Sequence, residues 1–175
     1  MNWYNSIFEL IDMRSFSNLW FWIMLAVIWS TTSHWVLGVP WDMVMRARKA
    51  SDNSSVADLE AMVRITTGRI LYIMRESGLL LTGFASFVLT TLCLLGFVYG
   101  NEFSQALFLL LFPLSIVGLL SLASAHAIRR DDLAGEALFR AMRRHRMMTQ
   151  SVGMIAIFVT AMWGMYQNMM AGVLG

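Results

Sequence analysis

The sequence predicts an all-α, polytopic membrane protein with four transmembrane helices and helical cytoplasmic extensions. Three observations carry that expectation. Of the 175 residues, 58% are apolar and only 14% charged, and the mean hydropathy of +0.61 lies outside the range of water-soluble domains. Four apolar stretches, 16–39, 78–100, 103–127 and 149–171, are each long enough at about 1.5 Å per residue to cross a hydrocarbon layer of about 30 Å. Every one of the 13 Lys and Arg residues except Arg14 falls between the first and second stretches or between the third and fourth.

The first element, residues 1–15, scatters Trp3, Ile7, Phe8, Leu10 and Ile11 among Asn5, Glu9 and Asp12, an alternation suited to a short helix lying in the membrane interface. It lacks the basic start and small-residue cleavage site of a signal peptide, so the mature chain is expected to begin at Met1. The first span, FSNLWFWIMLAVIWSTTSHWVLGV (16–39), contains no acid, Lys or Arg. Trp20 and Trp22 at one end and Trp35 and Trp41 at the other suit the two interfacial belts, and Pro40 is expected to end the helix.

Residues 40–77 form a polar, helical loop. SDNSS (51–55) reads as a turn, with Ser55 and Asp58 placed as a capping box. On the helix that follows, Val56, Leu59, Val63, Thr66, Ile70 and Ile73 recur at alternating spacings of three and four, a heptad-like seam that wants a partner helix. The second span, 78–100, and the third, 103–127, are separated only by Asn101 and Glu102, which predicts an antiparallel hairpin; Pro113 is expected to bend the third span. Residues 128–148 form a second basic loop, in which Ala134, Leu138, Ala141, His145 and Met148 repeat the same period. The fourth span, 149–171, closes the list. Positive charge near span ends is retained in the cytoplasm, so both basic loops are expected there and both termini in the periplasm of a bacterial inner membrane.

Candidate chemistry is sparse. His34, His126 and His145 all map near the cytoplasmic boundary, where a proton relay, a metal site or an axial haem ligand would each be conceivable. The structural reading competes: His34 sits beside Ser30, Thr31, Thr32 and Ser33, whose hydroxyls can satisfy it, and His145 sits in the solvated run RRHR. No HExxH or paired-cysteine pattern accompanies them, and Cys93 is the single cysteine. His34 and His126 are retained as candidate cofactor ligands, although no cofactor or metal is expected. No span carries a charge near its centre, where one would cost about 2.5–3.5 kcal/mol and mark an ion pathway; this weighs against a pump. Small residues at helical spacing, including Gly96 with Gly100 and Gly153 with Ala156, Thr160 and Gly164, read as helix-packing faces. Methionines crowded near the fourth span read as adaptable packing rather than copper ligands.

The stretches ELIDMRSFSNLWFW (9–22) and HWVLGVPWDMVMRARK (34–49) resemble a group of small uncharacterised inner-membrane proteins of alphaproteobacteria, some described as components of the Suf iron–sulfur assembly complex. The resemblance implies a cytoplasmic partner and no catalytic or binding residue.

The expected function is therefore non-enzymatic: an inner-membrane accessory or scaffold that oligomerises or docks on a larger complex through its cytoplasmic helical face. Candidate contacts with a protein partner or with membrane lipids are Val56, Leu59, Val63, Ile70 and Ile73 on the first seam and Arg129, Arg130, Arg140, Arg143, Arg144 and Arg146 in the second loop. A net charge of +2 gives no reason to expect nucleic acid. The alternative is a small homo-oligomeric channel or passive transporter whose polar path runs by Ser30, Thr31, Ser33 and His34.

Overall fold

The computed structural model describes residues 15–49 and 53–173. Apart from Ser15, the expected interfacial segment 1–15 lies outside the described residues. The described residues are all-α apart from one hairpin of two-residue strands: a 3₁₀ turn (Ser15–Ser17), α1 (Leu19–His34), β1 (Trp35–Val36), β2 (Val39–Pro40), α2 (Trp41–Lys49), α3 (Asn53–Cys93), a π-helical turn (Leu94–Val98), α4 (Glu102–Arg130) and α5 (Gly135–Val173).

Among the described residues, three helices are long and apolar enough to cross a membrane: α3 with its π turn, α4 and α5. The first stretch differs from its expected 16–39 span. Helix α1 has 16 residues, about 24 Å at 1.5 Å per residue. At its start, the Asn18 side chain accepts from the Trp20 N–H, and Phe16 precedes the helix in the 3₁₀ turn. At its end, the chain leaves the helix at Trp35 and turns through Leu37 (φ +53°) and Gly38 (φ +79°), pairing Trp35 with Pro40 and Val36 with Val39. Two left-handed residues in succession are the signature of a tight type I′ hairpin. Leu37 carries a side chain into this unfavourable region, and its burial supplies the compensation. Hydropathy does not distinguish an apolar hairpin from the last turns of a helix, which is why the sequence points to Pro40 as the terminator.

Helix α3 begins at Asn53, two residues before the expected Ser55 cap, and runs for 41 residues without a break. The polar segment and the second apolar stretch are one rod. The hairpin to α4 forms as expected: the π turn closes through Tyr99 N–H to Leu94 O (3.2 Å) and Asn101 N–H to Leu95 O (3.1 Å), Gly100 takes φ +70°, and Asn101 caps α4 by accepting from Ser104 N–H at 2.9 Å. Pro113 sits buried inside the continuous α4. Likewise the expected loop 128–148 is not a separate element, because α4 continues to Arg130 and α5 starts at Gly135.

Packing concentrates at three levels. At the basic end, Val36, Leu37, Val39, Val44, Ala47, Leu59, Val63, Ile128, Leu138 and Met142 form one buried cluster. The middle level gathers Leu25, Trp29, Leu110, Val117 and Ala156, and the hairpin end gathers Phe16, Phe21 and Ala106. The small-residue stripe of α5 is the groove that receives the N-terminal part of the chain. A Cβ on Gly153 would lie 2.8 Å from Trp29 Cε3, and one on Gly164 would lie 3.2 Å from Phe16 Cδ1. Of the methionines read as packing residues, Met142 is buried, whereas Met147, Met154, Met162, Met165, Met169 and Met170 are exposed. The hydropathy of α5 hid this difference because a thioether suits a lipid-facing surface as well as a core.

Candidate functional site

The two seams border one core. On α3 the buried stripe is Leu59, Val63 and Thr67, and on α5 it is Leu138, Met142, His145 and Thr149. Leu59, Val63, Leu138 and Met142 share one core, and Glu60 ties the two helices by accepting the Gly135 N–H at 2.8 Å. The expected heptad phase fails beyond Val63: Thr66 and Ile70 are half-buried and Ile73 is exposed. The buried line of α3 follows two i+4 steps, Leu59, Val63 and Thr67, whereas that of α5 keeps alternating steps of four and three. As partner candidates, Leu59 and Val63 are corrected to intramolecular core residues, Val56 and Ile70 are half-buried, and Ile73 remains open.

The arginines point the other way. Arg129, Arg130, Arg140, Arg143 and Arg144 are exposed. Among the described residues, ion pairs join only His34 with Asp42, Arg75 with Glu76 and Arg130 with Asp131, so Arg46, Arg48, Arg140, Arg143 and Arg144 carry unpaired charge. Arg48, Arg140 and Arg143 rim a hollow of about 60 Å³ between α2 and α5 that also holds Glu136 and is floored by Trp41. Arg146 is different: its guanidinium carbon stands 4.3 Å from the centre of the Trp41 ring, a cation–π contact, and its Nε is buried without an acceptor.

The three histidines have no partner in common. His34 Nε2 is 3.8 Å from Asp42 Oδ2, with both side chains well exposed. His126 is exposed and bonds the Leu122 carbonyl at 3.2 Å. His145 is 3% exposed, which agrees with its place on the 134–148 seam and overturns its reading as part of the solvated run RRHR: it lies three residues after buried Met142 and four before buried Thr149, a spacing that carries it inward despite its arginine neighbours. Its ring bonds Ser124 Oγ at 3.0 Å and, at a longer 3.4 Å, Ser121 Oγ. Because the Ser121 hydroxyl is already donated to Val117 O, the pattern assigns Nε2–H as donor to Ser121 and Nδ1 as acceptor from Ser124. The cluster locks α4 to α5.

The polar-path candidates do not converge either. Ser30, Thr31 and His34 are exposed and Ser33 is half-buried, while neighbouring Thr32 donates back to Ile28 O at 2.7 Å. Among the described residues, no group of three or more His, Cys, Asp or Glu side chains is placed to hold a metal.

Gln105 is the polar residue that sequence reasoning missed. Buried at the hairpin end, its amide donates to Gly96 O at 2.8 Å, and its carbonyl accepts from Trp163 Nε1 at 2.9 Å and Gln167 Nε2 at 2.5 Å. One side chain thereby clips the π turn, α4 and α5 together. Gly96 permits it: a Cβ there would lie 2.9 Å from the Gln105 backbone N. An uncharged glutamine one turn past Asn101 resembles helix-start polarity, and the available signal was its position in an otherwise apolar span. Nearby, Phe16 N–H bonds Glu102 (3.3 Å) and Ser17 bonds Asn168 (2.7 Å).

Comparison with protein-family models, curated proteins and solved structures returned no match.

Proposed function

We propose that this chain is a non-enzymatic accessory or scaffold protein of the bacterial inner membrane, crossing it four times with both termini periplasmic, and that it docks an acidic cytoplasmic partner on the arginine face of α2 and α5. The observation that carries this reading is the division of labour at the basic end. The apolar stripes are spent on the chain's own core, whereas Arg48, Arg140 and Arg143 surround a hollow with one carboxylate among them. Guanidinium forks held on helices suit bidentate recognition of carboxylates. The clustering of basic residues beside the long apolar helices supports the orientation, and α1 serves as the fourth crossing if its 24 Å are extended by the bonded 3₁₀ turn. The cytoplasmic partner agrees with what the resemblance of residues 9–22 and 34–49 implies.

The test is cross-linking in native membranes, comparing the wild type with an R140E/R143E/R144E variant. Loss of a specific cross-linked species with unchanged membrane insertion supports docking; identical cross-links from both proteins would remove it. The channel alternative has Ser30, Thr31 and His34 on an outer surface and so requires a second copy to close a path. A specific liposome flux altered by His34→Ala would favour it.

A further inference from the structure

A second cationic feature lies on a different side of the molecule. Between α3 and α4, near the basic end, a cleft of about 700 Å³ is lined by Gly68, Tyr72, Met74, Arg75, Leu122, His126 and Arg129, among others. Its lining carries two arginines. Arg129 enters no ion pair among the described residues, and Arg75 gives one N–H to Glu76 at 3.2 Å, leaving its terminal nitrogens; its guanidinium carbon stands 5.7 Å from the centre of the Tyr72 ring. Gly68 makes the room: the Arg129 guanidinium lies over it, with Nη2 3.1 Å from where a Cβ would be. Met74 and Leu122 add apolar lining at the level of Arg75, and just beyond it α3 continues into residues 79–87, nine successive positions that are all exposed. A cleft with cations at one end and an uncovered apolar helix at the other matches one kind of molecule in both halves.

We infer that this cleft is a binding site for an anionic phospholipid, with its phosphate between Arg75 and Arg129 and its acyl chains along Met74, Leu122 and the 79–87 face of α3. The volume falls within the range of built ligand sites, and basic pockets between membrane helices on the cytoplasmic side are suited to such headgroups. The inference rests on the membrane-crossing reading above, which sets Arg75 and Arg129 at the inner surface; it does not depend on the docking of a partner.

The test is native mass spectrometry of the full-length protein in mild detergent, titrated with phosphatidylglycerol, cardiolipin or phosphatidylcholine. The wild type should retain the anionic lipids in preference to phosphatidylcholine. R75A/R129A should weaken that retention about tenfold or more, given the contribution of each arginine near a lipid surface. Gly68→Leu, which fills the floor without removing charge, should weaken it as well, and R140A/R143A on the docking face should not. Equal retention by wild type and R75A/R129A, or equal loss in R140A/R143A, would overturn the assignment. Displacement of the lipid by millimolar inorganic phosphate would instead make the site one for free phosphate and overturn the role given to the apolar wall. If R75A/R129A elutes as aggregate, R75K/R129K, which keeps the charges, and Gly68→Leu carry the decision: retention in the first with loss in the second is expected, and loss in neither refutes the site.

Discussion

The two halves of α3 are one unbroken helix, yet they are stabilised in opposite ways. From Ser54 to Gly68 it buries one stripe, Leu59, Val63 and Thr67, and exposes charged residues such as Asp58 and Arg64 on the other side; from Leu79 to Phe87 it buries nothing, and Leu79 reaches 89% exposure. In water, removing apolar surface is the driving force, worth about 25 cal/mol per Å², so the first half requires partners and obtains them in α2 and the end of α4, with Leu138 and Met142 of α5 closing the same core. In lipid that force vanishes, since acyl chains are as apolar as leucine, and helices associate through close packing and hydrogen bonds. The second half has neither a small-residue groove nor a polar clip until Gly96 meets Gln105, and it stands clear. Apolar character therefore means contact at one end and lack of contact at the other.

That contrast is open to attack by substitution. Leu59→Ala should be the most damaging change, costing about 2–5 kcal/mol as a cavity in a closed core, whereas Leu80→Ala should stay within about 0.5 kcal/mol; thermal unfolding in detergent followed by tryptophan fluorescence compares the two directly, and equal losses would mean that the exposed half is packed in solution. Next comes the hairpin end. Gln105→Leu strands the Trp163 N–H and the Gly96 carbonyl, each costing about 1–3 kcal/mol when buried, and faster amide exchange at residues 94–100 should accompany the loss. Gly153→Val forces a Cβ against Trp29, itself buried, and should cost about 1–3 kcal/mol of overpacking, seen as a lower melting temperature together with a shifted tryptophan emission as α1 loosens. The smallest effect is expected for Glu60→Ala, which removes one acceptor from the Gly135 N–H, about 1 kcal/mol; exchange should quicken at the start of α5 alone.

How much of this was legible beforehand depended on which force dominated locally. The α3–α4 hairpin could be read from two connecting residues, and the small-residue stripe of α5 from spacing, because close helix approach demands small side chains in any apolar medium. The shared core of the two basic-loop seams is legible in part: the period marks Leu59, Val63, Leu138 and His145, but Thr67 lies an extra i+4 step along α3, and Met142 and Thr149 lie one residue past the seam positions Ala141 and Met148. For His145 the helical period and the local sequence disagree, and the period is right: its neighbours in sequence are arginines, whereas its neighbours in space, along the helix and on α4, are not. The hairpin at 35–40 was read as helix, since its left-handed turn sits on Leu37 and Gly38 inside a run whose hydropathy looks like a span.

Sequence by itself determined the class of this protein: long apolar helices and basic residues gathered at one end, properties set by composition and order along the chain. Tertiary structure alone decided which apolar residues touch protein, which arginines remain unpaired, and where a cationic wall adjoins bare helix. Such choices follow from the rotation of each helix about its axis and the approach of elements far apart in sequence, and a one-dimensional pattern of hydropathy contains neither.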